Sequence, residues 1–355
     1  MSYLFVLKHG TVKKIFTVLS ACFFFLISSS QIVTDYLRAQ GISGKVKQLT
    51  EVSGTETRQV YTFNEKGLQT GYWLFAPPEV LLYRYGASYN DSGQITEEVK
   101  YDKGFDPVQK TIFAYDSKNV PIGRSFLGHN GELVEKFIYT YTQGRKTDSI
   151  RLGHYGNQVE KYSWQYDAKG NRIREISFRN IDSSVINTAY DYNEAGKLLR
   201  LSRKHSIDKN LDYSLQYQYD AKGNMISEYK HYRNGKADYK KEYSYDSSGN
   251  KVGFIQYTAE GKIVERLSYA YDKKGNLAEE NKYDSSGAFS SRLVYKYDER
   301  NNEIERSRYL PSGKPDVQIA WTYEYDKQGN WILKTQLING AVAGVIKREF
   351  EYFDK

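Results

Sequence analysis

Aspartates recur in this chain at one fixed place, after an aromatic residue and before a glycine. Asp167, Asp220, Asp246, Asp272 and Asp326 are followed three residues later by Gly170, Gly223, Gly249, Gly275 and Gly329. Evenly spaced carboxylates could ligate calcium, and two facing ones could act as acid and base in glycoside hydrolysis. Catalysis, however, needs two carboxylates of distinct pKa in one cleft, and this pattern supplies one per unit. An Asp that opens a type I turn bonds its own backbone, and a Gly three residues on takes the positive φ. The spacing also differs from an EF-hand or a glycine-rich calcium roll. These ten residues are therefore assigned to structural turns, and no catalytic, cofactor-binding or metal-binding residue is assigned.

The remaining reactive side chains are sparse. Beyond His9, the histidines are His129, His154, His205 and His231, three of them near equivalent places about 25 residues apart. Such a ladder could hold a metal, but there is no His-x-x-x-His or His-Glu-x-x-His pattern, and exposed turn positions are expected. No Gly-x-Ser-x-Gly elbow is present. Gly41-Ile42-Ser43-Gly44-Lys45 is too short for a phosphate loop and reads as a turn leading into a strand. No cofactor is implied.

The sole cysteine, Cys22, lies in Leu19-Ser20-Ala21-Cys22, which has the look of a bacterial lipidation site. A competing reading takes the same region as a cleaved export signal over residues 1–30. Lys13-Lys14 would be its basic start, Ile15 to Ile27 its apolar run and Ser28-Ser29-Ser30 its small-residue end. Phe23-Phe24-Phe25-Leu26 favours cleavage, because a polar tether should follow a lipidated Cys. Either route exports the chain to a periplasmic, outer-membrane-associated or extracellular place, with membrane contact only through the signal or a lipid anchor.

Composition narrows the class. The chain has 355 residues, and its 34 Tyr outnumber its 28 Gly. Charged residues make up 26%, which excludes a polytopic membrane protein, and 15% aromatics argue against disorder. The net charge is +8, but Lys8, Lys13 and Lys14 fall in the first 30 residues. The rest interleaves both signs, as in Arg174, Glu175 and Arg179, so no nucleic-acid partner is expected.

Behind the turns stands a repeat. Aligned on the aromatic before each turn, the chain shows Phe63, Tyr89, Tyr115, Tyr141, Tyr166, Tyr192, Tyr219, Tyr245, Tyr271, Tyr297, Tyr325 and Tyr352, spaced 25 to 28 residues apart. An echo follows about halfway, as at Tyr257, Tyr283 and Tyr309. Between turns the side chains alternate with period two. Val317, Ile319, Trp321, Tyr323 and Tyr325 point one way, and Gln318, Ala320, Thr322 and Glu324 the other. Alternation this rich in aromatic and β-branched residues predicts half-buried strands. About two dozen strands in sequential meander are expected. The predicted fold class is all-β, an elongated, curled antiparallel sheet of tandem ~26-residue hairpins, solenoid-like. Residues 31–60 would form an N-terminal cap and 61–355 about eleven repeats, with the stretch from Phe350 supplying a last edge strand.

Tyr-x-Tyr-Asp-x-x-Gly-Asn, as in Tyr217 to Asn224 and Tyr269 to Asn276, resembles the YD repeats of RHS-type proteins. The segment from Tyr323 to Trp331, followed by Lys347 to Tyr352, resembles the ending of short secreted YD-repeat proteins of Bacteroidetes-like bacteria. The resemblance covers roughly residues 41–355. It implies long antiparallel sheets of hairpins, which in large RHS proteins curl into a shell around a toxin domain. No toxin segment is expected after the repeats, so a toxin-cage role is not expected, and the sequence holds no Asp-Pro-x-Gly motif; Asp106-Pro107 continues as Val108-Gln109. The expected function is an exported, non-enzymatic binding or scaffold surface at the cell envelope, for a cell-surface glycan or an envelope protein. An exported enzyme acting on glycans, or an accessory of an RHS toxin system, is the alternative.

Overall fold

The structure is a computed structural model describing residues 36–54 and 57–354. The expectations for residues 1–30, the export signal and Cys22, lie outside the described residues. A single helical turn, α1 (Tyr36–Ala39), precedes 24 strands, and every strand pairs antiparallel with its neighbours in sequence.

The turn chemistry sets each hairpin. Between β14 (Tyr213–Tyr219) and β15 (Met225–Tyr232), the Gly223 amide donates to the Asp220 carbonyl, and the Asp220 amide to the Asn224 carbonyl. Asp220 Oδ1 accepts from the Lys222 and Asn224 amides, both at 2.9 Å. Gly223 sits at φ +83°, where a Cβ would be strained. Asn119 and Asn301 take the same left-handed conformation at φ 63° and 65° in the turns that lack glycine. At each such turn the ladder shifts register, here between Gln218 and Tyr219. That bulge adds twist and curls the sheet.

The curl goes to completion. β1 (Val46–Ser53) pairs with β2 (Thr57–Phe63) on one side and with β24 (Ala341–Tyr352) on the other. The sheet is therefore a closed 24-stranded barrel, which corrects the expected open, solenoid-like sheet. The stretch from Phe350 is likewise no edge strand, since Phe350 pairs with Leu49. An open sheet of this length would leave two rows of unpaired amides and carbonyls, and closure removes both edges.

At ~4.8 Å per strand the circumference is about 115 Å, far wider than side chains can fill. Accordingly, the buried hydrophobic residues do not form a central core. They are Val46, Leu49, Val60, Tyr61, Phe63, Ile95 and Val99, all in β1, β2 and β5 (Ile95–Tyr101). Val46, Leu49, Tyr61 and Phe63 cluster at the seam, with Tyr36 and Leu37 of α1, Tyr72, Phe350 and Tyr352 packed on them.

Candidate binding surface

Tyrosines tie one repeat to the next. The hydroxyl of Tyr245 donates to the Met225 carbonyl at 2.9 Å, and that of Tyr271 to the Lys251 carbonyl at 2.8 Å. Tyr89, Tyr115, Tyr166, Tyr192, Tyr219 and Tyr297 make the equivalent bond to a carbonyl 20 or 21 residues earlier. The ring thus lies across the neighbouring hairpin while its polar tip satisfies a strand end. Turn lysines add a second tie: Lys222 Nζ donates to the Ser247 carbonyl, and Lys169 Nζ to that of Glu194.

The two faces of the wall differ. One carries the paired anchors Tyr217 and Tyr219, Tyr243 and Tyr245, Tyr269 and Tyr271. The opposite face carries echo tyrosines, because Tyr257 lies opposite Lys240 and Tyr283 opposite Arg266, one residue out of phase with the anchors. Tyr232 is the exception, lying opposite Tyr213 on the anchor face. Cations sit on many of these rings. Lys146 Nζ lies 4.1 Å from the Tyr139 ring centre and 5.9 Å from that of Trp164, and Lys251 Nζ 4.7 Å from that of Tyr269. Burial lowers the pKa of Lys146 and of Lys334. Burial also pushes up the phenols of the anchor face, with Tyr217, Tyr269 and Tyr323 raised to about 12.

Both faces are charged at mid-strand. Glu228 and Lys241 lie on the anchor face, and Lys240 and Glu242 on the echo face. A shallow groove of about 610 Å³ on the echo face is lined by Ser227, Glu242, Gly253, Arg266, Ser268 and Tyr283. Its Glu242 accepts from Lys240 and Tyr257, which hold its carboxyl below the usual range.

The turn aspartates Asp167, Asp220, Asp246 and Asp272 lie at one rim, each Oδ2 receiving a bond from the asparagine four residues on. Those bonds lower the pKa of each carboxyl. Asp326 differs, because its Oδ2 accepts from Tyr352 at 2.6 Å at the seam. Among the described residues, no three His, Cys, Asp or Glu side chains gather as metal ligands. His129 and His154 lie on exposed turns, and each meets a carbonyl of the preceding hairpin, that of Pro107 and Leu133 respectively. The expected turn exposure fails for His205, which is only 6% exposed, and for His231, which is half-buried within β15. Its Nδ1 accepts from the Ile207 and Asp208 amides, and its own amide donates to the buried Asp212 carboxylate. His231 Nε2 pairs with Ser214 Oγ at 2.8 Å.

The seam has its own chemistry. Arg348, opposite Glu51, bonds its Oε2 through Nε at 2.9 Å and reaches Gln40 through Nη2. The Arg348 Cζ lies 3.5 Å from the Trp331 ring centre. Asn330 clasps both the amide and the carbonyl of Ser43. Asn330, Trp331 and Arg348 fall in the C-terminal motif read from the sequence, but their pairing with Ser43, Gln40 and Glu51 was not legible, because those partners lie about 300 positions away.

No family model matches the chain, and no curated protein matches it. Among solved structures, the TcdB2-TccC3-Cdc42 crystal structure aligns with 81% of this chain at 14% identity and a TM-score of 0.32. The Photorhabdus luminescens Tc holotoxin pore aligns over 81% at 13% identity and 0.30. A porin-like protein from Bacteroides uniformis aligns over 86% of this chain and 98% of its own at 8% identity and 0.26. The chain spans 19% of the length of the toxin chains it matches. With every TM-score this low, the closed ring rests on its own strand pairings.

Proposed function

We propose that this is an exported, non-enzymatic β-repeat protein of the RHS/YD type. Its closed wall serves as a binding or scaffold surface at the cell envelope, for a cell-surface glycan or an envelope protein. The observation that carries the reading is the ordered array of half-exposed rings and cations on both faces of a rigid wall. Rings with polar tips suit sugar faces and protein surfaces alike. Ring closure favours a second reading, an accessory shell of an RHS toxin system.

A glycan array and an envelope pull-down with residues 31–355 test the proposal. A saturable partner is expected from one of them. An empty result in both, together with hydrolysis of a polysaccharide panel, would replace it with the enzyme reading.

A further inference from the structure

Arg84 in β4 (Val80–Tyr89) lies in register opposite Trp73 of β3 (Gln69–Ala76) and Tyr101 of β5. Its Cζ is 4.5 Å from the Tyr101 ring centre, 5.2 Å from that of Phe105 and 5.6 Å from that of Trp73. The floor beneath is glycine. Gly71 and Gly86 pair across the two strands, and a Cβ on Gly71 would fall 2.5 Å from the Trp73 ring. A Cβ on Gly86 would touch the Tyr101 ring. The missing side chains let both rings lie along the sheet.

Equivalent positions in other repeats separate what is structural from what is particular. Lys240, Arg266 and Arg292 also lie opposite an echo tyrosine. Lys240 is paired with Glu242, and Arg292 with Glu279. Arg84, like Arg266, makes no ion pair among the described residues, and its buried Nε, like that of Arg292, makes no hydrogen bond; Arg84 combines the two. It alone of the four has Phe105 beside it. Phe105 is 56% exposed and sits at φ +70°, a place held by glycine in the turns of Gly131, Gly156, Gly235, Gly261, Gly287 and Gly313. A bulky residue there is strained, and such strain collects at binding sites.

Resting on the binding-surface reading, we infer that Trp73, Arg84, Tyr101 and Phe105 form a site for a carboxylated sugar, with the guanidinium taking the carboxylate and the rings the sugar's C–H face. An uncompensated guanidinium held flat by rings matches a planar carboxylate. Asp102 spends its Oδ1 on the Gly104 and Asp106 amides, and Asp106, in the same turn, has a carboxylate suited to accepting sugar hydroxyls. Lys103 adds a second exposed cation to this turn.

The test is calorimetry of the full chain with an oligogalacturonate, its methyl ester and a short hydrophobic peptide acid. Binding of the acid sugar is expected, at least tenfold tighter than the ester or the peptide. Phe105→Gly should weaken it at least tenfold while raising the melting temperature, since glycine accepts that φ. Arg84→Gln should also abolish it, and Arg292→Gln should not. Equal binding of the ester or the peptide, or equal loss in Arg292→Gln, would overturn the inference. So would absence of binding. A partner still found by array or pull-down would then show that the broader reading survives without this site.

Discussion

Removing the Glu51 carboxylate should open the barrel at one place. All other neighbouring strands follow one another directly along the chain, whereas β1 and β24 are held only by contacts across the seam. Arg348 has a side chain 4% exposed, and Glu51 one 16% exposed. Glu51→Gln leaves the guanidinium buried without its counter-charge, which costs about 3–5 kcal/mol in comparable buried pairs. The partial exposure of Glu51 and the retained Trp331 contact argue for the lower end. About 3 kcal/mol is roughly a hundredfold in the opening equilibrium. Hydrogen exchange read by mass spectrometry should show that loss of protection in peptides spanning 46–53 and 341–352. Peptides from β15 to β17 (Lys251–Thr258), on the far side of the ring, should be nearly unchanged. Arg348→Met keeps the stem's packing and removes the stranded charge, so combined with Glu51→Gln it should recover part of the loss. Uniform loss of protection around the ring, or none at the seam, would refute the reasoning.

Other consequences are more distributed. Tyr245→Phe removes one hydroxyl-to-carbonyl tie and should cost about 1 kcal/mol in denaturant unfolding. The turn carboxylates Asp220, Asp246 and Asp272 have folded pKa values below the ordinary carboxylate range, through their bonds to Asn224, Asn250 and Asn276. Their contribution is therefore present above about pH 4 and lost as pH falls through the lowered values. Denaturant midpoints across acid pH should fall in the parent and less steeply when all three are Asn. The buried phenols have the opposite sign, because raising an acid's folded pKa stabilises the fold only while the group stays protonated. Phenolate absorbance should show Tyr217, Tyr269, Tyr323 and Tyr352 titrating near 12, with stability declining from about pH 10 upward.

Local physics made much of the fold legible. The Asp-to-Gly turns, the period near 26 and the alternation along strands each depend on a few adjacent residues, and the strand count follows from them. What escaped is non-local or depends on phase. Pairing of Leu49 with both Tyr61 and Phe350 has no signature in either segment. The register shifts at the turns put most echo tyrosines on the face opposite the anchors, which alternation within one strand does not reveal. His205 is buried because residues 206–212 fold back over it, with a 3-10 turn at Lys209–Leu211. The Arg84 site left only a faint trace, Gly104 followed by Phe105 where other turns place glycine one residue later.

The nearest-neighbour order of the strands also governs how the molecule is made. Each hairpin can form from residues that leave the ribosome within moments of one another, so most of the sheet can grow from the N-terminus forward without waiting. Residues 46 to 53 are the exception, since their second partner is synthesised about 300 residues later. Until it arrives, β1 is a bare edge able to pair with another chain. Aggregation during biogenesis should therefore depend on how long that edge waits, and a translational pause placed between residues 90 and 340 should increase it more than one placed before residue 46.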